Sequence, residues 1–239
     1  MATYNGQSFV LEQLQSILAQ LGPEDEVIVV DDCSTDNTVM IIEGIGDPRI
    51  AVHRNDVNVR EVKTFGRAIA MSTGDVVFLA DQDDIWRPGR VQRMLGALER
   101  SGALVLTSNS DFIDADGKPL AYELRGVTGA QSGTHLRNVV GVFAGEASYF
   151  GCAMAFRKEL KPLILPIPDF VESHDLWIAF AGNLARSNCH LDDITFDRRI
   201  HANNASTKQR VLYKKLVSRA IFALSVAVLS ARLLVKRRD

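Results

Sequence analysis

The chain has 239 residues, 46% hydrophobic and 23% charged, with a net charge of −2. That composition excludes a disordered chain and leaves enough apolar mass for a folded core. The charge is uneven: residues 206–239 hold nine Lys/Arg against one acidic residue, whereas the rest holds 18 basic against 28 acidic. The expected organisation is therefore an acidic body, residues 1–205, followed by a basic and apolar helical tail, residues 206–239.

Ser8 to Gln20 places Phe9, Val10, Leu14, Ile17 and Leu18 on one stripe of 3.6-residue period, which predicts a helix that Gly22-Pro23 ends. "EVIVVDD" follows, and its continuous apolar run suits a strand buried on both faces. "CSTDNTVMIIEGI" predicts a helix capped by Ser34 or Thr35, and "RIAVHRN" a short strand. A helix over Lys63 to Ser72, a buried strand "DVVFLAD" and a helix from Pro88 to Arg100 complete an alternating α/β pattern. "ALVLTSNSDFID" predicts a strand, and residues 122–147, rich in Gly, Ser and Thr, predict a loop-rich segment. "YFGCAMAFRKEL" predicts a strand running into a helix, "HDLWIAFAGNLA" a helix and "CHLDDITFDRRIH" a strand. The three cysteines, Cys33, Cys152 and Cys189, have neither paired nor metal-type spacing and predict free thiols. The N-terminus lacks the basic start and apolar run of a signal peptide.

In such α/β sheets ligands gather beyond the carboxyl ends of the strands. Asp31-Asp32 and the acidic stretch "FLADQDDIW" both fall there. Asp81 and Asp83 are spaced to point the same way from an extended segment, as a hard divalent cation with carboxylate ligands requires. A solvated turn is the alternative reading of those carboxylates, and a calcium loop is excluded because no D-x-D-x-D-G spacing is present.

"MATYNG", "VIVVDDCSTDNT", "GDVVFLADQDDIWRPGR", "GCAMAF", "SHDLWIAF" and "RRIHANN" occur in that order. Together they resemble family 2 glycosyltransferases of GT-A fold, in particular the bacterial rhamnosyltransferase-like enzymes of polysaccharide assembly. The resemblance implies a mostly parallel central sheet flanked by helices. It also implies inverting transfer of a sugar, with rhamnose the first choice, from a dTDP-, UDP- or GDP-linked donor. The acceptor would be the hydroxyl of a saccharide or of a lipid-linked saccharide. By that resemblance Asp83 is a direct ligand of Mn²⁺ or Mg²⁺, with Asp81 and His201 beside the metal. Ala2, Thr3, Tyr4, Asp31, Asp32, Lys63, Asp81 and Arg199 would line the nucleotide side, and Arg198 is a second candidate phosphate contact. Asp175 occupies the position of the general base. An ordinary helix cap is the other reading of Asp175. A base there must be desolvated, and Glu172 is expected to raise its pKa by like-charge repulsion. Glu172, His174, Trp177 and Cys152 are acceptor-side candidates, with core packing the alternative for Trp177 and for Trp86. The resemblance also expects a first central strand of which only the end, at Met1, is present here. The expectation is a groove in the sheet.

The tail carries twelve uncharged residues, Ala220 to Ala231, between Arg219 and Arg232. Twelve is fewer than a bilayer crossing needs, so Val211 to Val235 is read as a helix that lies on or dips into the cytoplasmic face of a membrane, or else packs on the body or a dimer partner. The expected location is cytoplasmic, peripheral to the inner face of the plasma membrane. No fold or aromatic pattern for nucleic acid accompanies the basic residues. Two other functions stay open, a sugar nucleotidyltransferase and a non-catalytic nucleotide-binding scaffold.

Overall fold

The computed structural model describes residues 1–122, 124, 126–147, 149–201 and 212–236. Its first half follows the apolar periodicity. Helix α1 (Val10–Leu18) turns Val10, Leu14 and Ile17 inward against β2 (Val27–Asp31). Full burial of each such side chain contributes about 1.5–3 kcal/mol. Helix α2 (Thr38–Gly44) leads to β3 (Ile50–Arg54), and α3 (Glu61–Met71) buries Phe65, Ala68 and Ile69. Strands β1 (Ala2–Thr3), β2 and β3 form a parallel three-stranded sheet with Ala2 opposite Val30 and Val29 opposite Val52.

A second sheet has five strands. They are β4 (Val76–Phe78), β5 (Ile85–Trp86), β6 (Val105–Ile113), β7 (Met154–Arg157) and β8 (Asn188–Arg199), in the order β4-β7-β6-β8-β5. Only β6 and β8 are parallel, and the other three pairs are antiparallel. The mixed character of this sheet was not visible in the residue pattern, which does not encode strand direction. Helix α4 (Arg90–Ser101) begins after Gly89, so Pro88 precedes the helix rather than opening it. Helix α7 (His174–Leu184) packs across β6 and β8, and α6 (Lys161–Ile164) sits beside it. The segment expected to be loop-rich contains a ten-residue helix, α5 (His135–Ala144). Val139 and Val142 are buried there against α7, and the flanking Gly, Ser and Thr had masked that stripe. The tail forms α8 (Leu212–Lys236), which packs on α6 and α7. The boundary at residues 205 and 206 lies outside the described residues.

Among the described residues, no strand of one sheet pairs with a strand of the other. Strand β1 reaches only the end of β2, and a cavity of about 420 Å³ runs on from Met1 between Val27-Ile28 and Val76-Val77. The Met1 ammonium donates to the Ile28 carbonyl at 2.8 Å, in the place of a ladder amide, and burial pushes its pKa down to about 5.

Candidate active site

The loop Asp81–Asp84 leaves β4 at its carboxyl end and is held by three neighbours. Gln13 on α1 donates to the Asp81 carbonyl at 2.9 Å. Gln82 exchanges two hydrogen bonds with the Tyr4 backbone, at 2.9 and 3.0 Å. A Cβ on Gly6 would stand 2.3 Å from the Gln82 side-chain oxygen, so a larger residue there would push that amide off the Tyr4 backbone. From β8, Arg199 donates its amide to Asp84 Oδ1 and its Nε to the Asp83 carbonyl. The loop is thus fixed before any ligand arrives, which reduces the ordering cost of binding.

Four further ionisable groups share this pocket. Glu61 at the start of α3 is pushed up to about 8, by burial first and then by the charges of Asp81, Asp175 and Asp83. Asp175 is raised to about 6, chiefly by burial, while the Leu176 amide donates to its Oδ1 at 2.8 Å. Arg198 faces the cluster: burial works against its charge, but the neighbouring Asp81, Asp84 and Asp175 carboxyls outweigh it and its pKa is raised. His201 Nε2 lies 2.8 Å from Asp83 Oδ2, with its ring against Phe9.

The acidic loop itself is strained electrostatically. Burial and the acidic neighbours raise the pKa of Asp81, and raise that of Asp84 well above its ordinary value. Asp84 Oδ2 is buried without an N–H or O–H donor among the described residues. Asp81, Asp84 and Cys152 offer ligand atoms within 4.8 Å of one another. Clustered carboxylate oxygens, one of them unsatisfied, fit a hard divalent cation. Cys152 is the poor member of that set, because burial and the adjacent carboxylates hold its thiol well up and protonated.

The other expected site residues fall into place unevenly. Asp31 is buried and accepts from Thr3 Oγ1 at 3.1 Å and from Ser34 N and Oγ. Asp32 accepts from Asn55 Nδ2 and from the amides of Val59 and Arg60 at 2.9 Å. Those bonds fix Arg60 at a φ of +72° and so aim the start of α3, with Glu61, at the acidic loop. Ala2 packs beneath, and Tyr4 is exposed at the pocket rim. Lys63 lies two residues round the helix from Glu61 and pairs with Asp169 at 3.0 Å.

Four expectations are corrected. Arg199 is buried and committed to Glu12 at 2.6 Å and to the Asp83, Asp114 and Ala115 carbonyls, so its guanidinium braces the loop instead of facing a phosphate. Alternation along β8 turns its neighbour Arg198 to the pocket. Burial, not Glu172, lifts Asp175; Glu172 instead accepts from Ser218 of α8 at 3.1 Å. Trp177 is 1% exposed and donates its indole N–H to the Ile164 carbonyl, leaving no ring face for a sugar. Cys152 lies behind the acids, not on an acceptor surface.

His174 is buried and stacked on Phe65, with its pKa pushed down to about 4 by burial, so it is neutral at pH 7. Its Nδ1 lies 3.5 Å from Glu61, and a Cβ on Gly151 would stand 2.5 Å from its Nε2. Ser173 caps α7, accepting from the Leu176 amide and donating to Asp175. Sequence reasoning missed Glu61 and Gln82. A lone Glu in a first helical turn is unremarkable, and only the fold brings it to the acids.

The family model described as "Glycosyl transferase family 2" matches residues 1–161. Succinoglycan biosynthesis protein ExoO of Rhizobium meliloti (strain 1021) is 34% identical over 120 residues, covering 50% of this chain and 34% of that protein. The dTDP-rhamnosyl transferase RfbG of Shigella flexneri is 34% identical over 116 residues, covering 46% of this chain and 40% of that protein. This chain therefore spans well under two thirds of the length of these two relatives. The structure of S. aureus TarS 1-349 in complex with UDP-GlcNAc superposes with a TM-score of 0.70 over 97% of this chain and 70% of that one. At 21% identity it establishes a shared fold.

Proposed function

This chain belongs to glycosyl transferase family 2, and from that premise we propose that it is an inverting, metal-assisted glycosyltransferase of bacterial polysaccharide synthesis. The donor is a nucleotide diphosphate sugar, dTDP-rhamnose first, with UDP- and GDP-sugars as the other members of the class. The acceptor is a hydroxyl of a saccharide or lipid-linked saccharide, met at the inner face of the plasma membrane. One observation carries the reading: Asp81, Asp83, Asp84, Glu61 and Asp175 converge on one pocket, with Arg198 and His201 beside them among the described residues.

The chemistry follows from those groups. Asp175, raised by burial, takes the proton of the acceptor hydroxyl as that oxygen bonds to the anomeric carbon. The bond from the anomeric carbon to the diphosphate oxygen breaks, and the electron pair leaves with the diphosphate. Arg198 sits where that developing charge would be felt. Asp83, Asp81 and His201 are the groups that would hold a divalent cation; when bound, it supplies positive charge to the leaving diphosphate. Thr3, Tyr4 and the Asp31-Asp32 turn form the wall against which the nucleotide would lie.

The test is turnover. The protein is incubated with dTDP-rhamnose, UDP-sugars and GDP-sugars, with Mn²⁺ or after chelation, and released nucleotide diphosphate is measured. The expected result is metal-dependent release from one donor in the presence of an acceptor. Exchange of pyrophosphate into the sugar nucleotide would instead identify a nucleotidyltransferase. Folded protein that turns over no donor would identify a non-catalytic scaffold.

A further inference from the structure

Helix α8 is apolar on both its inner and its outer face. Its face against the body buries two hydroxyls, Ser218 and Ser225, beside Phe222 and Leu229. Its outer face exposes Tyr213, Leu216, Leu224, Leu234 and Val235, and the alanines between them at 220, 223, 227 and 231. Among the described side chains of α8, no charged or hydroxylic aliphatic residue is exposed. A water-facing helix has the reverse arrangement, with polar residues outward.

Both ends of this stripe are basic. Lys208 and Arg210 precede it in the chain, Lys214 and Lys215 follow its first residue Tyr213, and Lys236, Arg237 and Arg238 come after its last. A second copy of α8 laid on the stripe would bring basic ends together in either orientation. Anionic lipid headgroups at both ends would instead neutralise them while acyl chains cover the leucines. The window Leu216–Val235 is long and apolar enough to cross a bilayer by length alone, yet only 22% of it is buried in the protein. Its inner side is already committed. Ser218 donates to Glu172, and Arg232 donates to the Leu163 and Pro166 carbonyls and covers Trp177.

We infer that the outer stripe of α8 is a lipid-facing surface that lies flat in an anionic bilayer interface while its inner face holds α6 and α7. This deepens the location given above by naming the surface and its mode of contact, and it does not depend on turnover. It also binds the Asp175 helix to the membrane element, because Glu172 and Asp175 share the turn that opens α7.

The experiment is flotation of the full chain with vesicles of phosphatidylcholine alone or mixed with phosphatidylglycerol. The expected result is flotation with the mixed vesicles, weakened by salt and reversed by alkaline extraction. The variant Leu216→Glu, Leu224→Glu, Leu234→Glu should bind at least about tenfold more weakly. Its thermal midpoint should match the parent, since all three side chains are exposed. Protein that stays in solution with both vesicle types would overturn the inference. So would protein that resists alkaline extraction, which would mean a spanning helix. A dimer that the triple variant converts to monomer, with no flotation by either, would show that a second copy covers the stripe. Because no donor or acceptor is present, failure here leaves the transfer reaction untouched.

Discussion

Replacing Asp175 by Asn is expected to lower kcat by about a thousandfold while leaving nucleotide diphosphate binding unchanged. The side chain keeps its shape and can still accept the Leu176 amide, so the start of α7 is preserved. What is lost is the carboxylate that would receive the acceptor proton. The parent should show an acidic limb in kcat/KM with an inflection near pH 6, because Asp175 must be deprotonated to act and its pKa is raised to about 6. Activity therefore falls as pH drops through that value and levels off above it, until other groups titrate. The variant's residual rate should lack that limb. Stopped assays across pH 5–8 with saturating donor would measure both. A variant with parental kcat would remove Asp175 from the reaction and leave it a capping residue beside Ser173.

Trp177→Ala is expected to cost about 3–5 kcal/mol of stability. The ring is among the largest fully buried side chains, its N–H is bonded to the Ile164 carbonyl, and Arg232 from α8 lies over it at 5.4 Å. Truncation opens a cavity under α6 and leaves that carbonyl without its donor. For a chain of this length each kcal/mol corresponds to about 2–4 °C in thermal midpoint, which calorimetry resolves easily. Trp177→Phe should recover most of the packing and retain the acceptor KM. A stacking platform would give the opposite pattern, an unchanged midpoint and a raised acceptor KM in Trp177→Ala.

The first half of the fold was legible because its helices and strands each have one dominant apolar period. Val27 to Val30 reads as buried on both faces, and β2 is. Residues 122–147 were not legible, because Gly141 and the polar flanks dilute the Val139 and Val142 stripe that α5 uses. The acidic loop could be found from the sequence since its carboxylates are adjacent. Its partners could not, since Glu61 and Arg198 arrive from distant elements. The exchange of roles between Arg198 and Arg199 turns on the phase of a single strand. An "RR" pair identifies the strand end but not which member faces the acids. Trp177 reads ambiguously for a similar reason, because on α7 nearly every position beyond the first turn is buried, and amphipathic phase says little there. The tail's apolar content was visible, but that its outer face stays apolar while Ser218 and Ser225 face inward emerged only from the fold.

The central claim is that the acidic loop after β4 and its distant partners form a cation and diphosphate site. Calorimetric titration of dTDP, UDP and GDP into the protein, with and without Mn²⁺, and into Asp83→Ala, tests it most directly. Asp83 is paired with His201 at 2.8 Å, and its carbonyl, which the substitution retains, is what Arg199 braces. The account predicts that one nucleotide diphosphate binds in a metal-dependent way and that the substitution abolishes this binding without unfolding the protein. Binding that needs no metal and survives Asp83→Ala, or no binding at all by folded parent protein, would contradict it.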